Sequence, residues 1–161
     1  MTRPDRRFAL QALPVLVLLG GTAFHPSAGA DHPKPCHEPD EGVRGACVAL
    51  THYLQAHATG LRSHAEAAFY PEARMVWVAD GERRERPIGD YITGFDGRAA
   101  GDESERRRWV ERVEVTGDAA IATIVLDYPR ARIVDYMTLL RTDGAWRIIH
   151  KSFHTTPKAA G

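Results

Sequence analysis

The chain has 161 residues, of which 43% are hydrophobic and 26% are charged, and this composition is typical of one ordinary globular domain. Its 21 basic residues balance 21 acidic residues, so no net charge attracts nucleic acid or an anionic membrane surface. The balance excludes the strongly basic proteins that bind nucleic acid or anionic membranes, and it favours a small molecule or another protein as the partner.

The first 30 residues have the pattern of a cleaved signal peptide. Three arginines precede an apolar run over residues 8–19, and small residues at 28–30 form a cleavage site. The apolar run is too short to cross a membrane, so we expect no membrane span in the mature protein. The Arg6-Arg7 pair resembles a twin-arginine signal with altered flanks, and the general secretory route is the alternative. We therefore expect an exported protein, periplasmic or secreted.

A Pro-rich leader over residues 31–42 carries the first of two cysteines. Export places Cys36 and Cys47 where a disulfide can form, and the bond would join the leader to the first helix. Two unpaired thiols are the alternative. His32 and His37 lie near Cys36, but no second thiolate or helical histidine pair completes a ligand shell. We therefore expect neither a metal nor a cofactor.

Helical periodicity begins at Glu41, where apolar residues recur every three or four positions up to a stop at Gly60. A second, short helix is predicted over residues 61–69. Strand alternation follows over residues 73–79, and it places Trp77 on the same face as Met75.

The middle of the chain carries weaker signals. Residues 82–86 are a charged run, which we interpret as a solvated loop or a sheet edge. A third short helix is predicted over residues 87–92, because proline is favoured in the first helical turn and Gly94 stops the pattern. Residues 95–107 are rich in glycine and charge, and this composition predicts a mobile loop.

Four apolar runs joined by two-residue turns make up the C-terminal part. The runs cover residues 110–116, 119–128, 131–142 and 145–154. Tight turns join antiparallel neighbours and fix their register. The predicted pairs are residues 115 with 120, 126 with 133, 124 with 135, 137 with 150, and 139 with 148.

This register sorts the side chains onto two faces of the sheet. One face is apolar except for Asp135, His150, Ser152 and His154, and it makes Asp135 and His150 diagonal neighbours. Lys151 falls on the other face, which mixes charges with many apolar and threonine side chains. Because a solvated face should carry fewer of these, we expect it to be covered in a homodimer or by the N-terminal segment.

The order of two helices, a strand, a short helix and a meander predicts an α+β fold with the helices on one face of the sheet. Five segments resemble the putative lumazine-binding family of the nuclear transport factor 2-like (SnoaL-like) superfamily: residues 53–60, 68–74, 89–92, 134–141 and 146–154. The resemblance implies a cone-shaped, cystatin-like roll, in which a curved antiparallel sheet wraps around the helices and leaves a pocket at the wide end. We place this domain at residues 43–156 and a disordered tail at 157–161.

In such a cone the concave face of the sheet lines the pocket. A carboxylate on an apolar wall needs a partner, so Asp135 and His150 are the candidate catalytic residues. Either His150 acts as a general acid or base oriented by Asp135, or Asp135 itself removes a proton beside a carbonyl. A buried pair that only fixes the strand register is the alternative.

Other elements contribute to the predicted wall as well. The candidate ligand-binding residues are Tyr53, His57, Phe69, Trp77, Tyr91, Ile124, Met137 and Trp146. For His57 a packed or capping role is the favoured interpretation, and for the two tryptophans a role as core aromatic residues is favoured.

Three functions remain open. The favoured one is an exported domain that binds an unidentified small molecule. The second is a lyase, isomerase or hydrolase that uses the Asp135 and His150 pair. The third is a protein-interaction module with a filled, vestigial pocket, since one fold can host binding and catalysis alike. A cavity of some hundreds of Å³ that reaches Asp135 would support the first two functions, and a filled cone would support the third.

Overall fold

The computed structural model describes residues 35–159, so the predicted signal peptide lies outside the described residues. The chain forms three α-helices and six strands in this part, together with two short 3₁₀ turns. In chain order they are a 3₁₀ turn at Pro35–His37, α1 (Glu41–Thr59), α2 (Arg62–Ala68), β1 (Phe69–Ala79), β2 (Glu82–Pro87), α3 (Ile88–Ile92), a 3₁₀ turn at Glu103–Glu105, β3 (Arg107–Thr116), β4 (Ala119–Tyr128), β5 (Ala131–Thr142) and β6 (Ala145–Pro157).

The long helix α1 has a defined start and a defined end. The Asp40 side chain accepts a hydrogen bond from the Val43 amide at 2.8 Å and so caps the first turn. Gly60 ends the helix with a φ of 71°, and a Cβ atom there would lie 2.1 Å from the Arg98 carbonyl oxygen. Both the positive φ and the close backbone approach explain glycine at this position.

One face of α1 packs into the concave side of the sheet. Its buried residues recur at helical spacing: Ala46, Cys47, Ala49, Leu50, Tyr53 and Ala56. The helix approaches the sheet closely at Gly45, where a Cβ atom would lie 2.8 Å from Trp146 Cδ1. Small residues in the first half of α1 therefore leave room for large side chains from the strands.

The six strands form a single sheet with the order β2-β1-β6-β5-β4-β3. All neighbouring strands are antiparallel except β1 and β6, which run parallel. The predicted two-residue turns join the last four strands, and Asp143 and Gly144 both have positive φ. Positive φ at both central positions matches the twist of a hairpin. The α+β cone predicted from the sequence is confirmed.

Four of the five predicted strand pairs are correct: 115 with 120, 126 with 133, 124 with 135, and 139 with 148. The fifth is wrong, because Met137 lies opposite Lys151 and Thr138 lies opposite His150. A β-bulge between Thr138 and Leu139 shifts the register by one residue. An extra residue in one strand sends every later side chain of that strand to the opposite face.

The early elements differ from the predictions at their boundaries. Strand β1 begins at Phe69, four residues before the predicted start, and an irregularity between Phe69 and Arg74 interrupts its pairing with β6. The charged run over residues 82–86 forms the edge strand β2, and all its residues are exposed. Exposed charges on an edge strand prevent other chains from pairing with it.

The predicted mobile loop contains ordered contacts near its end. Asp102 pairs with Arg106 at 2.7 Å, and Glu103 pairs with Arg108 at 2.6 Å. The mobility of residues 95–107 stays a prediction. No helix within residues 35–159 combines the length and the apolarity that a membrane-crossing segment requires.

The predicted bond between Cys36 and Cys47 is present, with the two Cα atoms 5.6 Å apart. It links the 3₁₀ turn at Pro35–His37 to the buried face of α1. The bond therefore fixes the start of the described chain against the helix that fills the cone.

Candidate functional site

Three polar side chains lie together on the apolar concave face. Asp135 and Tyr53 are fully buried, and Lys151 is 4% exposed. The Tyr53 hydroxyl donates a hydrogen bond to Asp135 Oδ2 at 2.6 Å and accepts one from Lys151 Nζ at 2.6 Å. Lys151 Nζ also lies 2.7 Å from Asp135 Oδ1. We call Tyr53, Asp135 and Lys151 the buried triad.

Each member of the triad comes from a different element. Tyr53 projects from the inner face of α1, Asp135 from β5, and Lys151 from β6 just beyond the bulge. Lys151 Nζ lies within ion-pair distance of Asp135 Oδ1, but that oxygen accepts no hydrogen bond. One carboxylate oxygen is therefore held mainly by charge, while the other is held by the tyrosine.

Aromatic rings surround the lysine ammonium. Lys151 Nζ lies 4.9 Å from the ring centre of Tyr53, 5.1 Å from that of Phe153 and 5.7 Å from that of Tyr91. Aromatic faces attract cations, and they do so more strongly where water is excluded. Of these three aromatic residues, Phe153 and Tyr91 are partly exposed, whereas Tyr53 is fully buried.

A second hydrogen-bonded group adjoins the triad. His57 Nε2 lies 2.8 Å from the Tyr91 hydroxyl, and His57 Nδ1 lies 3.1 Å from the Tyr128 hydroxyl. A neutral imidazole has one donor and one acceptor nitrogen, so one tyrosine donates to the ring and the other accepts. The ring of His57 also packs edge-on against Tyr53 at 4.7 Å and against Phe95 at 5.6 Å.

Burial shifts the proton affinities of these groups. Desolvation lowers the pKa of His57 well below its usual value, and the positive charges of Lys151, Arg108 and Arg106 lower it further. Desolvation also lowers the pKa of Lys151, although the Asp135 charge opposes this shift. The pKa of Tyr53 is raised by burial and by the Asp135 carboxylate. The site therefore favours a neutral imidazole and a neutral phenol.

Two arginines cover the outer side of Tyr128. The guanidinium carbons of Arg106 and Arg108 lie 4.3 Å and 5.5 Å from its ring centre. Both nitrogens of the Arg108 fork bind the two carboxylate oxygens of Glu103. Burial raises the pKa of the Tyr128 hydroxyl, and the arginines counteract the shift.

The predicted pair of Asp135 with His150 does not form. His150 lies opposite Thr138 on the outer face, where it lines a cavity of about 310 Å³ together with Arg112 and Tyr136. Ser152 and His154 are likewise on the outer face, because they follow the bulge. Lys151, predicted to face outward, is instead the cationic partner that the buried carboxylate requires.

A signal for Lys151 was present in the sequence. Trp146 and Ile148 face inward, and after the adjacent pair Ile148-Ile149 the next large apolar residue is Phe153, five positions beyond Ile148. An odd separation breaks the period of two, and a one-residue bulge is the simplest way to restore it. With the bulge included, Lys151 and Phe153 fall on the same face of the sheet as Ile148.

The structure brings most of the predicted aromatic residues together around the triad. Tyr53 packs against His57 and Phe69, while Tyr91 packs against Phe69 at 6.3 Å. Trp77 lies one strand further out and stacks on Phe153 at 5.6 Å.

The predicted wall residues from the strands are buried in the core. Ile124 lies opposite Asp135, and Met137 lies opposite Lys151, so both adjoin the triad. Trp146 lies opposite Arg141, six positions from Asp135 along β5, and therefore belongs to the other end of the sheet. Contact of these residues with a ligand stays a prediction.

Four surface cavities in the described part of the chain are not lined by any residue of the triad. Within the described residues, cavities of about 310, 280, 220 and 350 Å³ open at the surface, and none of these four is lined by Asp135. No group of three or more His, Cys, Asp or Glu side chains among residues 35–159 could hold a metal ion.

The lowered pKa of His57 predicts a pH-dependent stability. Below the unfolded pKa of about 6.5, the unfolded chain binds a proton that the folded chain excludes. The free energy of unfolding should therefore fall as the pH falls, by about 1.4 kcal/mol per pH unit from this residue, until the lower folded pKa is reached. Urea unfolding between about pH 7.5 and about pH 5 measures this slope.

The matched variants are His57→Gln and His154→Gln. Glutamine at 57 can still bond both tyrosines but cannot be protonated, so its slope should be shallower. His154 is exposed, and its variant should keep the slope of the parent protein. Equal slopes in the two variants would contradict a neutral, desolvated His57.

Comparison with known proteins places this geometry in a structural class. A nuclear transport factor 2-like protein of unknown function from Silicibacter pomeroyi matches with a TM-score of 0.63 and 24% identity, covering 72% of this chain and 97% of that protein. A second such protein, from Shewanella baltica, matches with a TM-score of 0.64 and 24% identity, covering 71% and 94%. The chain thus has the nuclear transport factor 2-like fold. Residues 43–154 match the family model described as "Putative lumazine-binding", and the chain belongs to this family.

One curated relative carries the name of an enzyme. An aldolase called FrzH from a Cladobotryum species is 23% identical over 106 residues, which are 66% of this chain and 85% of that protein. This relative, like the solved structures, is distant in sequence.

Proposed function

We propose that the protein is an exported domain that binds a small molecule against the buried triad. None of the four cavities described above reaches the triad, so this proposal requires the ligand to displace the partly exposed side chains of Phe153 and Tyr91. The main support is the position of Lys151, Asp135 and Tyr53 on an otherwise apolar wall. Burying two charges and a phenol is unfavourable compared with apolar packing of similar volume. A ligand with polar groups would account for this arrangement, because the triad supplies a cation, an anion and a hydroxyl.

The aromatic residues around the triad support the same proposal. Tyr91, Phe95, Tyr128 and Phe153 are partly buried, so they offer apolar faces next to the polar centre. Binding sites for small molecules combine an apolar lining with a few placed polar groups in this way. The Cys36–Cys47 bond supports export, because disulfides persist in oxidising compartments.

Native mass spectrometry tests this proposal on protein that is expressed from the full-length sequence and exported. The expected result is a chain cleaved near residue 31, with an intact disulfide and a bound small molecule. The double variant Asp135→Asn/Lys151→Met, which keeps the side-chain shapes but removes both charges, should lose the bound molecule. The variant Asp96→Asn changes an exposed residue away from the triad and should retain it. A bound molecule that survives the double variant would contradict binding at the triad.

A second candidate is a lyase that acts on a carbonyl compound. It is favoured by the amine of Lys151 beside the Asp135 carboxylate, and by the aldolase among the relatives. In this case Asp135 and Lys151, and not His150, would exchange protons with the substrate.

We also propose that the protein forms a homodimer through the outer face of the sheet. Ile121 and Tyr136 are 55% and 56% exposed on this face, and Leu140 is 38% exposed. A two-fold dimer would bury these side chains, and the mass spectrum of the native protein reports it directly.

A further inference from the structure

Lysine is rare in this chain, and one lysine is buried. The 21 basic residues include only three lysines: Lys34, Lys151 and Lys158. Lys158 has a side chain that is 38% exposed and pairs with Asp127 at the surface, whereas the Lys151 side chain is 4% exposed. Unlike arginine, lysine can lose its proton in a buried site and become a nucleophile.

The contacts of Lys151 suit such a change of state. Asp135 Oδ1, at 2.7 Å from Nζ, can accept the proton that the ammonium releases. The Tyr53 hydroxyl, at 2.6 Å from the same nitrogen, donates its own hydrogen bond to Asp135 Oδ2 and so holds the carboxylate in place. Burial lowers the pKa of Lys151, which increases the neutral fraction of the amine.

Two of the aromatic rings next to the amine belong to residues that are partly exposed. The rings of Phe153 and Tyr91 lie 5.1 Å and 5.7 Å from Nζ, and both are partly buried. Because both residues are partly exposed, displacement of their rings is the route by which a flat molecule would reach Nζ.

We propose that Lys151 forms an imine with an aldehyde or ketone ligand. This proposal rests on the proposed binding function and names the chemical class of the ligand. The lysine nitrogen attacks the carbonyl carbon after passing a proton to Asp135. One of the two hydrogens that remain on the nitrogen then moves to the carbonyl oxygen, which becomes the hydroxyl of a carbinolamine. Asp135 then returns the proton to that hydroxyl, which leaves as water while the carbon–nitrogen double bond forms. The products are one protonated imine and one water, and no oxidant or reductant takes part.

Reductive trapping tests the imine. The full-length exported protein is incubated with benzaldehyde and sodium cyanoborohydride near pH 7, digested, and mapped by mass spectrometry. Benzylation of Lys151 should exceed benzylation of Lys158 by about tenfold or more, because a neutral, positioned amine reacts faster than a surface ammonium. Equal labelling of the two lysines, or labelling of Lys158 alone, would overturn the proposal.

Two variants distinguish a lysine that Asp135 activates from a lysine that is merely accessible to the reagent. Asp135→Asn removes the proton acceptor but keeps Lys151, so in protein that circular dichroism shows to be folded the ratio of Lys151 to Lys158 labelling should fall by about tenfold or more, because a general base typically contributes about 100-fold or more. Asp96→Asn removes an exposed carboxylate and should leave the ratio unchanged. A bound molecule in the native mass spectrum without preferential labelling of Lys151 would overturn the imine and leave the binding function intact.

Discussion

Removal of either charge of the buried ion pair is expected to destabilise the protein strongly. Lys151→Met leaves the Asp135 carboxylate buried with only Tyr53 as a partner, and Asp135→Asn leaves the Lys151 ammonium buried without an anion. Breaking a buried pair in this way typically lowers the free energy of unfolding by about 3–5 kcal/mol. Urea unfolding of the two single variants measures the loss.

The double variant Asp135→Asn/Lys151→Met completes the cycle. Because it leaves no unpaired charge, its loss should be smaller than the sum of the single losses by at least about 2 kcal/mol. Arg98→Met and Asp96→Asn provide the control, since this ion pair is exposed and should contribute little. Additive losses at positions 135 and 151 would contradict a coupled buried pair.

Because the ion pair between Asp135 and Lys151 stabilises the fold, variants of either residue can lose activity through unfolding. Asp135→Asn is expected to lower stability whether or not the carboxylate takes part in chemistry. A loss of binding or turnover in that variant is informative only when circular dichroism shows a folded protein. Tyr53→Phe is the better companion, because it removes one hydroxyl from the triad and leaves both charges paired.

Reduction of the Cys36–Cys47 bond is the second change with a large expected effect. The bond joins residues 11 positions apart, and a closed loop of this size restricts the unfolded chain by about 3 kcal/mol at 25 °C on the chain-entropy estimate. The urea midpoint of the oxidised protein should therefore be higher than that of the reduced protein, with the slope against urea slightly changed.

The control is the variant Cys36→Ala/Cys47→Ala. Its urea midpoint should not respond to reductant and should be close to that of the reduced parent protein. Cys47 is 4% exposed, so loss of its sulfur also leaves a small gap under α1. An oxidised and a reduced parent protein with the same midpoint would show that the bond adds no stability.

The sequence contained most of the information on the fold. The two-residue turns at Gly117-Asp118 and Asp143-Gly144 fixed the strand pairs next to them, since a tight turn leaves no freedom of register. The helical stripe of α1 and its stop at Gly60 were equally predictable, because both depend on local periodicity and backbone conformation. Asp135 was therefore placed correctly on the concave face.

The remainder of the site depends on contacts between distant elements. Tyr53 and Asp135 are 82 positions apart, and Lys151 and Tyr53 are 98 positions apart, so no local pattern predicts either hydrogen bond. His57 was recognised as a candidate from its helix, but its two tyrosine partners come from α3 and β4.

The sequence by itself determined the α+β class, the meander of tight hairpins and the inward carboxylate of Asp135, because these follow from local turn chemistry and alternation. Only the tertiary structure decided which cation meets that carboxylate. The bulge beside Leu139 forms where β6 must pair with β5 on one side and with β1 on the other. That single extra residue turns His150 outward and brings Lys151 into the core, and turn length alone does not specify it.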